Sequence, residues 1–263
     1  MARTRCYRQG VLTDEDFPLA EVSEHLEEPD ALVWVDLCAP DVADLTVVAD
    51  ELGLHRLAVE DALHPRQRPK LDRYADHAFL SAYAVRLEPA TAKLDASEVA
   101  AFITDRALVT VRKDEGFDID SVVARWDSES DLAKFGVSFL VHGLLDSIVD
   151  GQFEAVQALD EQIEDLASDL FLASADQEAL QRRSFELRRT LVLLRRLVLP
   201  MREVVNTLLR RDLHIVGDEM GPYFQDVYDH VLRASEWTES LRDLATSILE
   251  TNLTIQGLSL IHI

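Results

Sequence analysis

Apolar side chains toward the end of the chain recur at Phe224, Val227, Val231, Ala234, Leu241, Leu244 and Ile248, with Trp237 filling the one gap. Steps of three and four belong to one face of a helix. Pro222 stands in the first turn after Gly221, where proline is tolerated, and no proline or glycine follows until Gly257. The pattern predicts one helix over Gly221–Leu253, about 45–50 Å long. Between the apolar positions lie Asp226, Asp229, Glu236, Glu239, Asp243 and Glu250, with His230 beside Asp229. A helix this long and this acidic on its outer faces needs partners along its length, from its own chain or from copies of itself.

Upstream, the period changes twice. Residues 1–116 read as alternating short strands and helices. Ala31–Leu37 is a β-branched and aromatic run of strand length. Pro40 and Asp41 open a helical pattern through Leu45, Val48, Ala49 and Leu52, and Gly53 closes it at the C′ position. His55–Leu63 continues helically until Pro65 and Pro69. His77–Leu87, Ser97–Asp105 and Arg106–Asp114 are strand-like, the last two forming a hairpin that turns at Asp105–Arg106. A strand–helix beginning followed by adjacent strands predicts a mixed sheet flanked by helices, an α/β domain.

From Phe117 every segment reads as helix. A short one is followed by Phe135–Leu172, with Phe139, Leu140, Ile148, Phe153, Val156, Leu159, Ile163 and Leu166 in threes and fours. Ala173–Ser174–Ala175 breaks it before a second long helix through Arg210, in which Pro200 predicts a kink. A short connection makes the two antiparallel neighbours. The acidic end of the first, Asp160, Glu161, Glu164, Asp165 and Asp169, is then expected to face Arg182, Arg183, Arg188 and Arg189. The division is an α/β domain at 1–116, a long helical hairpin at 117–220, a stalk helix at 221–256 and a tail at 257–263.

Composition narrows the function. With 49 Asp+Glu against 26 Lys+Arg, the formal charge is −23. Nucleic-acid binding rests on an excess of cations, so no nucleic-acid partner is expected. Acidity serves solubility, or a surface that meets hard cations. Cys6 and Cys38 stand far apart with no CxxC, indicating neither zinc nor a disulfide. The basic start MARTRCYRQG is followed by no apolar run, and no stretch of about 18 apolar residues occurs, so the chain as written reads as soluble. There is no GxGxxG, phosphate-binding P-loop, HExxH or GxSxG, and lone histidines such as His55 and His142 carry no ligand pattern. Nothing supports an enzyme.

His55–Leu80, HRLAVEDALHPRQRPKLDRYADHAFL, resembles the CorA family of magnesium channels through Val59-Glu60-Asp61 and Gln67-Arg68-Pro69-Lys70. LLDSIVD (Leu144–Asp150), LVLPMREVVNTLLR (Leu197–Arg210) and PYFQDVYDH (Pro222–His230) match further along, in the same order. The resemblance implies a homopentameric funnel whose last long helix continues into a membrane, on the cytoplasmic face of which this part lies. It implies a cytoplasmic Mg²⁺-sensing and gating domain of a Mg²⁺/Co²⁺ channel, the ion being both regulator and cargo. The implied metal contacts are Asp61 and Glu60 of one subunit with Asp226, Asp146 and His230 of the next, and Asp229 one turn from Asp226. Glu250 matches an acidic ring near the funnel's narrow end. Asp160, Glu161, Glu164, Asp165 and Asp169 match a carboxylate-rich helix tip.

Two other readings stand beside this one. A ZntB-like zinc transporter domain calls for imidazole or soft ligands, which the carboxylate set does not favour. A soluble acidic coiled-coil scaffold would use the hairpin alone. Leu258–Ile263, LSLIHI, reads as a non-native tail on a chain whose relatives continue into an apolar span after Gln256.

Overall fold

The computed structural model describes residues 2–89, 91–169, 177–210 and 215–262, apart from the side chains of 130, 131, 177 and 252–262. Seven strands, β1 (Ala2–Arg8), β2 (Val11–Glu15), β3 (Ala31–Cys38), β4 (Lys70–Arg73), β5 (Ala78–Glu88), β6 (Lys93–Ile103) and β7 (Ala107–Arg112), form one mixed sheet in the order β2-β1-β3-β7-β6-β5-β4. Only β3 and β7 pair in parallel; the expected β6–β7 hairpin is present, with Ile103 opposite Leu108.

β3 is buried along its whole length. Val33, Val35 and Leu37 face Leu45 and Val48 of α2 (Val42–Leu52) and Ala58 and Ala62 of α3 (Arg56–Leu63). Leu32 and Trp34 point the other way, into a core shared with Trp126 of α4 (Ile119–Ser128) and Leu140 and Leu144 of α5 (Val137–Asp169). A strand covered on both faces reads as a continuous apolar run, which is why it is legible. Its one acid, Asp36, is neutralised by Arg112 of β7 at 2.6 Å and takes a hydrogen bond from the Thr110 hydroxyl at 2.7 Å. β1, β2, β4 and the single turn α1 (Val22–His25) have no apolar period of their own. β1 carries Arg3 and Arg5, which pair with Asp120 and Asp127 of α4 at 2.5 and 3.0 Å.

The core under the sheet does not stop at residue 116. It takes in the first half of α5, α7 (Met201–Leu209), and Phe224, Val227 and Val231 of α8 (Gly221–His262). A second core joins the ends of β5 and β6 to the rest of α5, to α6 (Gln177–Val198) and to the middle of α8. Pro200 separates α6 from α7, as its position requires. The expected break at Ala173–Ala175 lies outside the described residues.

Two expectations for these helices need correction. The buried face of α8 runs through Phe224, Val227, Val231, Ala234, Thr238, Leu241, Ala245 and Ile248, an unbroken heptad stripe. Leu244 is 43% exposed, and Thr238 rather than Trp237 occupies the gap. Thr238 is hidden from an apolar count because its hydroxyl donates to the Ala234 carbonyl at 2.6 Å, satisfying itself within the helix. In the hairpin, among the described residues, only Arg183 bridges to the acidic end of α5, to Asp169 at 3.2 Å and Asp165 at 3.8 Å. Arg182 turns back to Glu178 of its own helix, and Arg188 and Arg189 point outward, away from the seam. α8 also runs past Leu253 to His262. Among the described residues, no helix is long and apolar enough to cross a membrane.

Candidate metal centre

The site is built where α5 and α8 run side by side under the sheet. Acids and imidazoles on α5 recur every fourth residue as His142, Asp146 and Asp150, so they share a face. Asp226 and His230 do the same on α8. The two ladders meet: Asp146, Asp150 and His230 each offer a ligand atom, all within 4.8 Å of one another. His230 Nδ1 lies 3.9 Å from Asp226 Oδ2. Above this group opens a cleft of about 410 Å³, lined by Arg125, Glu129, His142, Asp146, Tyr223 and Asp226.

α4 closes the cleft, and packing fixes its place. Asp118 caps it, accepting from the Ser121 amide at 3.2 Å, and Ile119, Val122, Val123 and Trp126 bury its inner face. Trp126 meets Trp34 edge-on at 5.2 Å. On its other side it lies across Gly143, where an added Cβ would come within 2.4 Å of the indole nitrogen. That close approach sets Arg125, the residue before Trp126, against Asp146 in an ion pair.

The electrostatics favour added positive charge. Partial burial and, after it, the neighbouring Asp146 hold the Asp150 carboxyl above its usual range. Burial pushes the His142 imidazole below its ordinary value, so it is kept neutral. The Nδ1 atoms of His142 and His230 are both buried without a hydrogen-bond partner. Orphaned imidazole nitrogens beside paired carboxylates fit a divalent cation. Mg²⁺ is bound through one or two carboxylates with its remaining waters, and imidazole adds affinity for Co²⁺ or Zn²⁺.

Of the residues anticipated from sequence, Asp146, Asp226 and His230 come together. Asp61 and Glu60 lie elsewhere, on α3. Lys70 of β4 bridges Asp61 and Asp72 at 2.5 Å each, and these acids outweigh burial to hold its ammonium above the usual value. Glu60 is exposed, as is Asp229, which accepts from the Gln225 amide at 3.0 Å. Glu250 is exposed on α8, and Glu161, Glu164 and Asp165 on the outside of α5. Asp150 and Arg125 were not anticipated, and His142, set aside from sequence as a lone histidine, lines the cleft. Asp150 closes the LLDSIVD motif four residues after Asp146, so the i, i+4 rule reaches it. No sequence signal pointed to Arg125, because α4 and α5 meet only through tertiary packing.

The family model described as CorA-like Mg²⁺ transporter protein matches residues 29–260. The chain belongs to this family. It is 30% identical over 235 residues to the putative metal ion transporter YfjQ of Bacillus subtilis, across 89% of this chain and 72% of that one. To the cobalt/magnesium transport protein CorA of Thermotoga maritima it is 27% identical, across 84% of this chain and 63% of the relative. The chain therefore spans between 63 and 72% of the length of these two relatives. Among solved structures, the soluble domain of CorA from Methanocaldococcus jannaschii superposes with a TM-score of 0.73 at 20% identity, covering 95% of this chain and 96% of that one. The complete CorA from the same organism gives 0.77 at 20% identity, over 99% of this chain and 78% of that one. The ZntB cytoplasmic domain of Vibrio parahaemolyticus gives 0.70 at 13% identity, over 86% of this chain and 88% of that one. At these identities the likeness is one of fold, and the mixed sheet hung on long helices is the CorA soluble-domain fold.

Proposed function

We propose that this chain is the cytoplasmic sensing and gating part of a CorA-like divalent-cation channel, regulated by Mg²⁺, which with Co²⁺ is also its cargo. The observation that carries the reading is the convergence of Asp146, Asp150 and His230 from two helices, with Asp150 held above the usual carboxylate range. Carboxylates gathered without a cation repel one another, and a bound divalent ion removes that repulsion. In a homopentamer with α8 as its stalk, directed toward the membrane, the open cleft beside Asp226 meets the α3 face of the next copy. Asp61 and Glu60 then approach Asp226, Asp146 and His230, and Asp61 exchanges Lys70 for the ion. Asp229 lies one turn away, Glu250 contributes an acidic ring inside the funnel, and the Asp160–Asp169 tip holds cations loosely at its end. Loading biases the assembly to a closed state and depletion to an open one.

Cation loading stabilises the folded form by mass action, because the unfolded chain has no such site. Melting temperature and mass-resolved oligomer state are measured from about 1 to 30 mM Mg²⁺, the range suited to an ion held by few carboxylates. Wild type is expected to gain stability and to assemble, Asp226→Asn to gain less, and Asp229→Asn to behave as wild type. Absence of any Mg²⁺-dependent gain, or an equal gain in Asp226→Asn, overturns the reading. The imidazole of His230 supports zinc as a second cation; a response to micromolar Zn²⁺ but not to millimolar Mg²⁺ selects the zinc-transporter reading instead.

A further inference from the structure

Asp146 already has a cation, and the chain supplies it. Arg125 Nη1 contacts Asp146 Oδ2, while Arg125 Nε reaches Glu129 at 3.4 Å. The Asp146 side chain is 9% exposed and that of Arg125 37%. Arg125 thus reaches inward from the solvent edge of the cleft and covers a buried acid. Trp126, pinned between Trp34 and Gly143, holds the base of Arg125 in place. The same cleft retains a ligand atom that no group among the described residues uses: His142, 7% exposed and lining it, has its Nδ1 buried and unpartnered.

We propose that Arg125 is a tethered counter-cation that competes with the divalent ion for Asp146 and so sets the cation affinity of the cleft. This rests on the reading of the cleft as a cation site. A guanidinium stays charged throughout the physiological pH range, so the competition is constant and is not a pH switch. A divalent ion at Asp146 must displace Nη1 or share the carboxylate with a unit positive charge a few ångströms away. At about 5 Å and an effective dielectric between that of a protein surface and water, this repulsion weakens binding roughly tenfold or more. Displacement is local, because the guanidinium keeps Glu129, the residue that caps the end of its own helix, while α4 stays clamped by Trp126. A site weakened in this way responds to changes in an abundant ion instead of remaining saturated.

The test uses the 263-residue chain and Mn²⁺, whose free-ion paramagnetic resonance signal reports binding directly. Wild type, Arg125→Gln, Asp146→Asn and the double variant are titrated. Arg125→Gln is expected to tighten the Asp146-dependent binding by about tenfold or more. The double variant is expected to lose that gain. If Arg125→Gln binds no tighter than wild type while Asp146→Asn still weakens binding, competition is overturned and the cation site survives. If no bound Mn²⁺ depends on Asp146, the cation-site reading falls together with the role of Arg125. Where Arg125→Gln is too unstable to titrate, its melting temperature is compared with and without about 10 mM Mn²⁺. A larger Mn²⁺-induced rise than in wild type is expected; an equal or smaller rise overturns the proposal.

Discussion

Two stretches of α5 carry acids, and they end in different physical states. Asp146 and Asp150 look toward α8 and α4, where His230, Asp226 and Arg125 converge on them. Asp160, Glu161, Glu164, Asp165 and Asp169 spread along the same helix about three to five turns further on, and of these Arg183 meets two. In the first stretch Asp146 is buried, the exposed Asp150 carboxyl beside it is held above its usual range, and imidazole nitrogens have no hydrogen-bond partner among the described residues. In the second none of the five acids is buried, and such surface pairs contribute only about 0–1 kcal/mol each. What separates the proposed cation site from the acidic surface is convergence on a buried carboxylate, since the acid types are the same.

The largest test of this contrast lies in the hairpin. If its charges contribute little, its apolar seam must hold it. Leu159 and Ile163 are wholly buried there. Replacing either with Ala is expected to cost about 2–5 kcal/mol in denaturant titration. A cost below about 1 kcal/mol at both positions would give the charges the larger role.

A smaller effect is expected at the cleft as pH falls. The folded value of His142 lies below its unfolded value of about 6.5, so the unfolded chain takes up the proton first. The stability contributed by neutral His142 is present above about pH 6.5 and is lost as pH falls through the folded value. His77 is also held low by burial and shares this direction, so the comparison is with His142→Phe, whose ring suits the neighbouring Tyr223 and Phe224. The variant is expected to lose less stability between pH 7 and 5 than wild type. Identical curves would mean that the imidazole is not kept neutral.

The smallest effect belongs to the tip. Glu161 is exposed and makes no ion pair among the described residues, so Glu161→Ala is expected to change stability by less than about 0.5 kcal/mol. A loss comparable to that of Leu159→Ala would end the distinction between the two acidic stretches.

Periodicity by itself determined the fold class, the long helices, the kink at Pro200 and the burial of β3, because each of these is a local pattern written in consecutive residues. Gly53, expected to close α2, does so at φ 63°. The edge strands were not legible, since β1 carries alternating charges whose partners lie on α4, more than 110 residues away. Thr238 passed unnoticed in the apolar stripe because a hydroxyl that bonds back to its own helix behaves as a core residue only once the helix is packed. The proposed cation cleft was half legible. Asp146, Asp226 and His230 stood out through a family resemblance, and Asp150 follows from helical spacing. Arg125 could be found only in the tertiary structure, because its contact with Asp146 is set by Trp126 lying across Gly143, a meeting of two helices that no short-range pattern encodes. Spacing along a helix decides which side chains share a face; only packing decides what that face meets.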